Sequence, residues 1–303
     1  MVEELFLLEG ALVDKSEWDT RIAGLKAGLS EDLDLKDDAR KAVRDAIVNA
    51  VLSRIPEDRP FGVMFSGGVD SSLIAHIAKK SGKEFFCYTV GFKDDETKSP
   101  EDLEAAEVAA RLMGVNLKSR VFSLDESEAL INNTVKILGP ELSNVVNVGV
   151  GAVVVGCVEL AAKDGVKILF SGLGSEEVFA GYERHKKADD RQAECWSGLF
   201  NMYERDLLRD AAIAKATGAS FMTPFLDPEL IKTAMRVPAK HKINDSQAKI
   251  ILRDAAEEAG LPKEVSQRKK RAAQYGSRLD KAIDKLARKK GFEFKKDYLK
   301  SLS

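Results

Sequence analysis

Cysteine is scarce in these 303 residues: Cys87, Cys157 and Cys195 are the only ones, and no two form a C-x-x-C pair. That argues against a zinc site or a redox dithiol, and an odd count without a basic secretory leader fits a reducing, cytoplasmic setting. Histidine is equally rare, with His76, His185 and His241 scattered along the chain. Aromatic residues make up 7%, few for a surface that stacks nucleic-acid bases. Neither sign of charge dominates, since 47 Lys and Arg stand against 49 Asp and Glu. Such a balance argues against nucleic acid or an anionic membrane as partner. The longest apolar stretch, Val148 to Val158, is shorter than the roughly 20 residues of a bilayer span, so no membrane is expected.

What the chain does have is alternation. Val43, Ala46, Ile47, Ala50 and Val51 repeat at i, i+3, i+4, i+7 and i+8, which predicts a helix from Asp38 that ends before Pro56. Apolar runs at Phe61–Phe65, Phe85–Val90, Lys118–Phe122 and Lys167–Ser171 read as strands, with helical patterns between them. Strands separated by helices imply a doubly wound α/β fold: a parallel sheet of about five strands, covered on both faces. Beyond Tyr182 no convincing strand is visible, so the C-terminal third reads as helical. The expected organisation is a short appendage over residues 1–35, an α/β core over 36–185, a helical part over 186–280 completing the same domain, and a basic, mobile tail over 281–303.

The segment Phe65-Ser-Gly-Gly-Val-Asp-Ser-Ser72 lies between a predicted strand and helix. Gly67 and Gly68 permit a turn in which successive N–H groups converge, and a helix N-terminus adds its dipole. Asp70 beside such an anion site needs an intervening cation. The pattern is neither Walker A nor G-x-G-x-x-G. Taken alone, it also suits a tight turn with Asp70 as a helix cap. As a whole string it resembles the pyrophosphate loop of the ATP-pyrophosphatases, whose adenine nucleotide α-hydrolase-like sheet cleaves ATP between the α and β phosphates.

A second string, Ile168-Leu-Phe-Ser-Gly-Leu-Gly-Ser-Glu-Glu-Val-Phe-Ala-Gly-Tyr182, resembles the L-S-G-E-G-S-D-E-x-F-G-G-Y of the asparagine synthetase family. Thr89–Phe92, Asp102–Ala106, Pro224–Asp227, Lys249–Arg253 and Arg268–Lys270 follow in that family's order. The resemblance implies an amide-forming carbon–nitrogen ligase that uses ATP and Mg²⁺ to adenylate a small-molecule carboxylate. By position, Ser66, Gly67, Gly68, Asp70, Ser71 and Ser72 would hold the phosphates. Val90 and Gly91 would meet the adenine, and Ser171 and Gly172 the ribose and α phosphate. Asp70 and Glu176 would hold the metal, and Lys270 would stabilise charge on the transferring group. Tyr182 suits an acceptor pocket and a core position equally.

The departures lie on the acceptor side. Leu173 stands where the family has a glutamate, and Ser220 and Met222 replace the E-x-R before P-F-L-D. Three lost ionic groups point to an acceptor other than aspartate. Fewer than 61 residues precede the first sheet strand, too few for a glutaminase domain. Nitrogen is therefore expected from ammonia, a separate amidotransferase subunit or an amine on the substrate. Self-association into a homo-oligomer stays open. Two alternatives stay open as well: an RNA-modifying adenylating enzyme, favoured by the basic tail and the Arg268–Arg271 cluster, and a nucleotide-binding regulator without catalysis, favoured by Leu173.

Overall fold

A computed structural model describes residues 2–95, 99–268 and 272–302. The chain opens on a small hairpin, β1 (Leu7–Leu8) and β2 (Ala11–Leu12), followed by α1 (Lys15–Lys26) and α2 (Lys36–Leu52). Then come β3 (Phe61–Met64), α3 (Val69–Lys80), β4 (Phe85–Phe92), α4 (Glu101–Met113) and β5 (Leu117–Phe122). Helices α5 (Leu124–Leu142) and α6 (Val145–Ala162) lead to β6 (Ile168–Phe170). Helices α7 (Ser175–Val178), α8 (Glu183–Lys187), α9 (Arg191–Met202) and α10 (Leu208–Thr217) precede β7 (Ser220–Met222). The remainder is α11 (Pro228–Met235), α12 (Ile250–Glu258), α13 (Lys263–Ser266), α14 (Ala273–Gly276), α15 (Leu279–Lys289) and α16 (Lys295–Ser301).

Five parallel strands form one sheet in the order β5-β4-β3-β6-β7. The chain first builds outward from β3 to β5, then returns to lay β6 on the other side of β3. That reversal opens a crevice at the C-terminal ends of β3 and β6, where open α/β sheets bind ligands. Alternate residues feed two cores. Phe61, Val63, Phe85, Cys87 and Phe170 pack on one face against α2, α3 and α12; Tyr88, Val90, Phe92 and Leu169 pack on the other against α5, α6 and α15.

The structure departs from the sequence reading in four places. Strand β7 lies in the segment expected to be all-helical; three residues beside β6 carry no periodic signal of their own. The basic tail is folded: Leu279, Ala282, Ile283, Leu286 and Ala287 are buried along one face of α15. Its lysines meet acids, with Lys285–Asp94 at 2.6 Å, Lys290–Glu128 at 2.8 Å and Lys295–Asp280 at 2.6 Å. The first 35 residues are tied in through buried Trp18, whose indole N–H donates to the Leu199 carbonyl at 3.0 Å. Finally, the Val148–Val158 run is the middle of an 18-residue helix, α6, apolar and long enough by length and composition to cross a membrane. Here it is a core helix, 61% buried, packed against β4 and α5.

Candidate active site

The loop after β3 is backbone packed on backbone. Gly67 has φ +67°, and a Cβ there would lie 2.5 Å from the Ala105 carbonyl oxygen of α4, so only glycine fits. Gly68 is the N-cap of α3 and no side chain caps the helix, which leaves its first-turn N–H groups for a ligand. Ser71 Oγ accepts from Ser66 N–H at 3.2 Å and lies 3.4 Å from Ser66 Oγ, so the two hydroxyls share one corner of the loop. Ser72 is fully buried, and its hydroxyl meets no partner among the described residues.

The loop after β6 lies directly against the first. A Cβ on Gly172 would stand 3.0 Å from the Asp70 Cβ. Ser171 N–H donates to the Met222 carbonyl at 2.8 Å, so β7 anchors this turn, and Ser171 Oγ accepts from Leu173 N–H at 3.2 Å. Gly174, at φ +94°, begins α7 and turns Glu176 back toward Asp70. Val90 and Gly91 sit where β4 outruns β3, whose last pair is Met64 with Tyr88. Phe92 N–H donates to the Ser277 carbonyl at 2.8 Å, and a Cβ on Gly91 would lie 2.5 Å from Pro100.

Asp70 and Glu176 come together around a lysine that the motif reading left unassigned. Lys249 Nζ lies 2.8 and 2.9 Å from the Asp70 carboxylate oxygens, 2.7 Å from Glu176 Oε1 and 3.1 Å from Ser175 Oγ. Burial alone would lower the ammonium's pKa; the two carboxylates outweigh that and hold it above its ordinary value. The K-x-x-L-R match was the signal available for this residue. Arg253, the last residue of that match, donates to the carbonyls of Ala248 at 3.0 Å, of Ser266, and of Arg268 at 3.1 Å. Lys270 lies outside the described residues. Arg268, two positions earlier, reaches the Ser66 carbonyl at 2.9 Å and the Asp102 carboxylate at 3.1 Å.

Among the described residues no three His, Cys, Asp or Glu side chains cluster as a metal cage. Two carboxylates converging on one cation position do match the sparse protein ligation of magnesium that arrives with phosphates. The donor set therefore fits the ion, with Lys249 now in its place.

Behind this pair, Glu177 is 1% exposed; its carboxyl is paired with Arg205 and lies 3.8 Å from Arg184. Burial raises it to about 7 despite the arginine. A π-helical turn, Tyr203–Leu207, aims Arg205 at it. Tyr182 is half-buried, with Arg184 4.0 Å above its ring and His185 stacked alongside. His76 and His241 each meet a backbone carbonyl, of Ala259 and Asp34 respectively.

Of the three acceptor-side departures, Leu173 and the backbone of Met222 stand at the crevice end of the sheet. Ser220 pairs with Ile168 at the opposite end of the strands and is exposed; Met222 is buried in the core. A motif written as a string does not show that Ser220 occupies the end of its strand away from the crevice. Asp227 of P-F-L-D is a helix cap, accepting from Glu229 and Leu230 N–H, and also takes Arg54 Nη1 at 2.8 Å.

Known proteins resemble this chain along most of its length. The profile of the asparagine synthase family matches residues 42–197 and 186–293. A protein of Methanocaldococcus jannaschii, described as a candidate glutamine-hydrolysing asparagine synthetase, is 31% identical over 298 residues, covering 86% of this chain and 53% of that protein. The glutamine-hydrolysing asparagine synthetase of Brassica oleracea is 31% identical over 249 residues, covering 76% and 41%. This chain thus spans about half the length of the curated relatives it matches. The solved NMN synthetase of Francisella tularensis aligns over 88% of this chain and 91% of its own, with 12% identity and a TM-score of 0.42. The chain belongs to the asparagine synthase family.

Proposed function

We propose that this chain is a carbon–nitrogen ligase that binds magnesium and ATP between β3 and β6, adenylates a small carboxylate and releases pyrophosphate. One observation carries the reading: two glycine turns on neighbouring strands bring Asp70 and Glu176 to a single cation position. The N–H groups of Gly67 and Gly68 and the hydroxyls of Ser66 and Ser71 receive the β and γ phosphates. Backbone groups of Val90 and Gly91 take the adenine, and Ser171 and Gly172 border the α phosphate. Asp70 and Glu176 would hold magnesium arriving with the phosphates, and the ion would supply neutralisation of the charge on pyrophosphate. The acceptor carboxylate attacks the α phosphorus as the bond to the bridging oxygen breaks. An amine then attacks the acyl carbon, AMP leaves, and the amine's surplus proton goes to solvent.

Catalysis in this reading is positioning plus charge neutralisation by cations, a role the family motif assigns to Lys270. Leu173 cannot carry a proton, which argues for an acceptor other than aspartate. Ammonia, an amine on the acceptor or a separate amidotransferase subunit supplies the nitrogen. The RNA-modifying alternative would use the basic residues of this region, of which Lys285, Lys290, Lys295 and Arg268 each meet an acid.

The test is pyrophosphate release from ATP and Mg²⁺ with ammonia against a panel of carboxylic acids. One or a few acids should give release, and Asp70→Asn should abolish it. ATP binding without release for any acid would make the chain a nucleotide-binding regulator instead.

A further inference from the structure

Lys249 is held in its place by unusual backbone on two sides. Its own φ is +59° and ψ 35°, a left-handed conformation that a lysine seldom adopts. Opposite it, a Cβ on Gly181 would overlap Glu176 Oε2 and Lys249 Cε, so glycine leaves the room that the pair fills. The lysine side chain is 6% exposed, and its nitrogen has oxygens of Asp70, Glu176 and Ser175 around it between 2.7 and 3.1 Å. An ammonium so enclosed takes the place a small metal ion would take.

We infer that Lys249 is an internal counter-cation: it occupies the Asp70–Glu176 site while nucleotide is absent, and so keeps a divalent ion out until a polyphosphate enters. The inference rests on the nucleotide reading given above. Two adjacent carboxylates, Asp70 buried and Glu176 partly exposed, repel each other unless a cation lies between them, and the ammonium supplies it. A metal ion arriving alone would displace the ammonium and leave it buried without a counter-charge. A polyphosphate on the β3 loop offers that ammonium new oxygens, and the two carboxylates are then released to the metal. Metal and nucleotide therefore bind with positive coupling, each raising the affinity of the other by the same factor, on the order of 10–100-fold.

Manganese serves as the probe. In equilibrium dialysis, the wild-type chain with Mn²⁺ alone should retain no stoichiometric metal at this site. Lys249→Met should gain one Mn²⁺ per chain, bound at least about 10-fold more tightly than by wild type, and the double variant Lys249→Met/Asp70→Asn should lose it again. Stoichiometric Mn²⁺ on the nucleotide-free wild type, with the affinity of Lys249→Met, would overturn the inference, and that wild-type measurement decides even if the variant fails to fold. Dialysis of labelled ATP with Mg²⁺ separates the two readings. No retained ATP removes the nucleotide site altogether; retained ATP together with nucleotide-free Mn²⁺ removes only the counter-cation.

Discussion

The Arg268 guanidinium lies 3.1 Å from the Asp102 carboxylate and 2.9 Å from the Ser66 carbonyl oxygen, so one side chain joins the first turn of α4 to the loop after β3. Because the Ser66–Gly67 peptide is planar and trans, drawing its carbonyl toward Arg268 turns the Gly67 N–H the opposite way. Asp102 is 3% exposed, and a Cβ on Gly276 would overlap its carboxylate, so α14 closes the clasp from the third side. Asp102 at the start of α4 therefore does more than complement a helix dipole.

This clasp predicts a linked loss. Arg268→Ala leaves a buried carboxylate with one cation fewer and should lower stability by about 3 kcal/mol. It should also raise the KM for ATP, on the order of 10-fold, with a smaller change in kcat, because a positioning contact is lost. Arg268→Lys should recover stability better than KM, since an ammonium cannot span carbonyl and carboxylate as a fork does. Thermal unfolding and ATP titration of the three proteins read this directly; an unchanged KM in Arg268→Ala would remove the positioning role.

Ala180 sits at φ +55° in the turn between α7 and Tyr182. The resembling family string has glycine at that position, and the physical reason is visible: an alanine Cβ is strained in the left-handed region. Ala180→Gly should therefore stabilise the chain by about 0.5–1 kcal/mol, the relief of strain exceeding the added freedom of the unfolded chain. A midpoint shift in urea unfolding checks it, and a loss of stability would show that the turn accommodates alanine without cost.

Much of this fold was legible because its signals are local. The turn at Gly67–Gly68, the stripe on α2 from Val43 to Val51 and the two strand–turn–helix strings each declare themselves within a dozen residues. Features set by distant contacts were not legible. Strand β7 exists only because Ile168–Phe170 lies beside it. Lys249 reaches the site through a left-handed residue at a helix start, which no periodicity announces. The order of the tail is carried by its apolar spacing from Leu279 to Ala287, which its basic charge hides.

The N-terminal residues carry a third prediction about stability. Glu4, 2% exposed, accepts from Arg54 Nε at 2.8 Å and from Thr223 N–H and Oγ1–H at 3.2 and 2.7 Å. Thr223 follows β7, so this carboxylate ties the first residues to the edge of the sheet. Glu4→Ala would leave the fully buried Arg54 with Asp227 as its remaining acid and Thr223 without its acceptor. A loss of about 3–5 kcal/mol is expected in denaturant unfolding. A variant as stable as wild type would show that the Glu4 carboxylate contributes nothing net to the core it touches.

Lys242 gives a prediction whose size depends on pH. Its side chain is fully buried, donating to Gln192 Oε1 at 3.1 Å and lying 3.6 Å from the Met235 sulfur. Burial pushes the ammonium below its ordinary value of 10.5, and the fields of Cys195 and Glu31 offset only part of that. The unfolded chain thus binds more protons than the folded one between the depressed value and 10.5, so this residue's contribution to stability rises with pH across that window. Lys242→Met carries no such titration. The stability of wild type minus that of the variant should therefore grow as pH is raised from about 7 to about 10, by at most about 1.4 kcal/mol per pH unit. Paired denaturant curves at each pH measure the difference, in which other titrating groups cancel. A difference that stays flat would mean that the folded lysine titrates as it does in the unfolded chain.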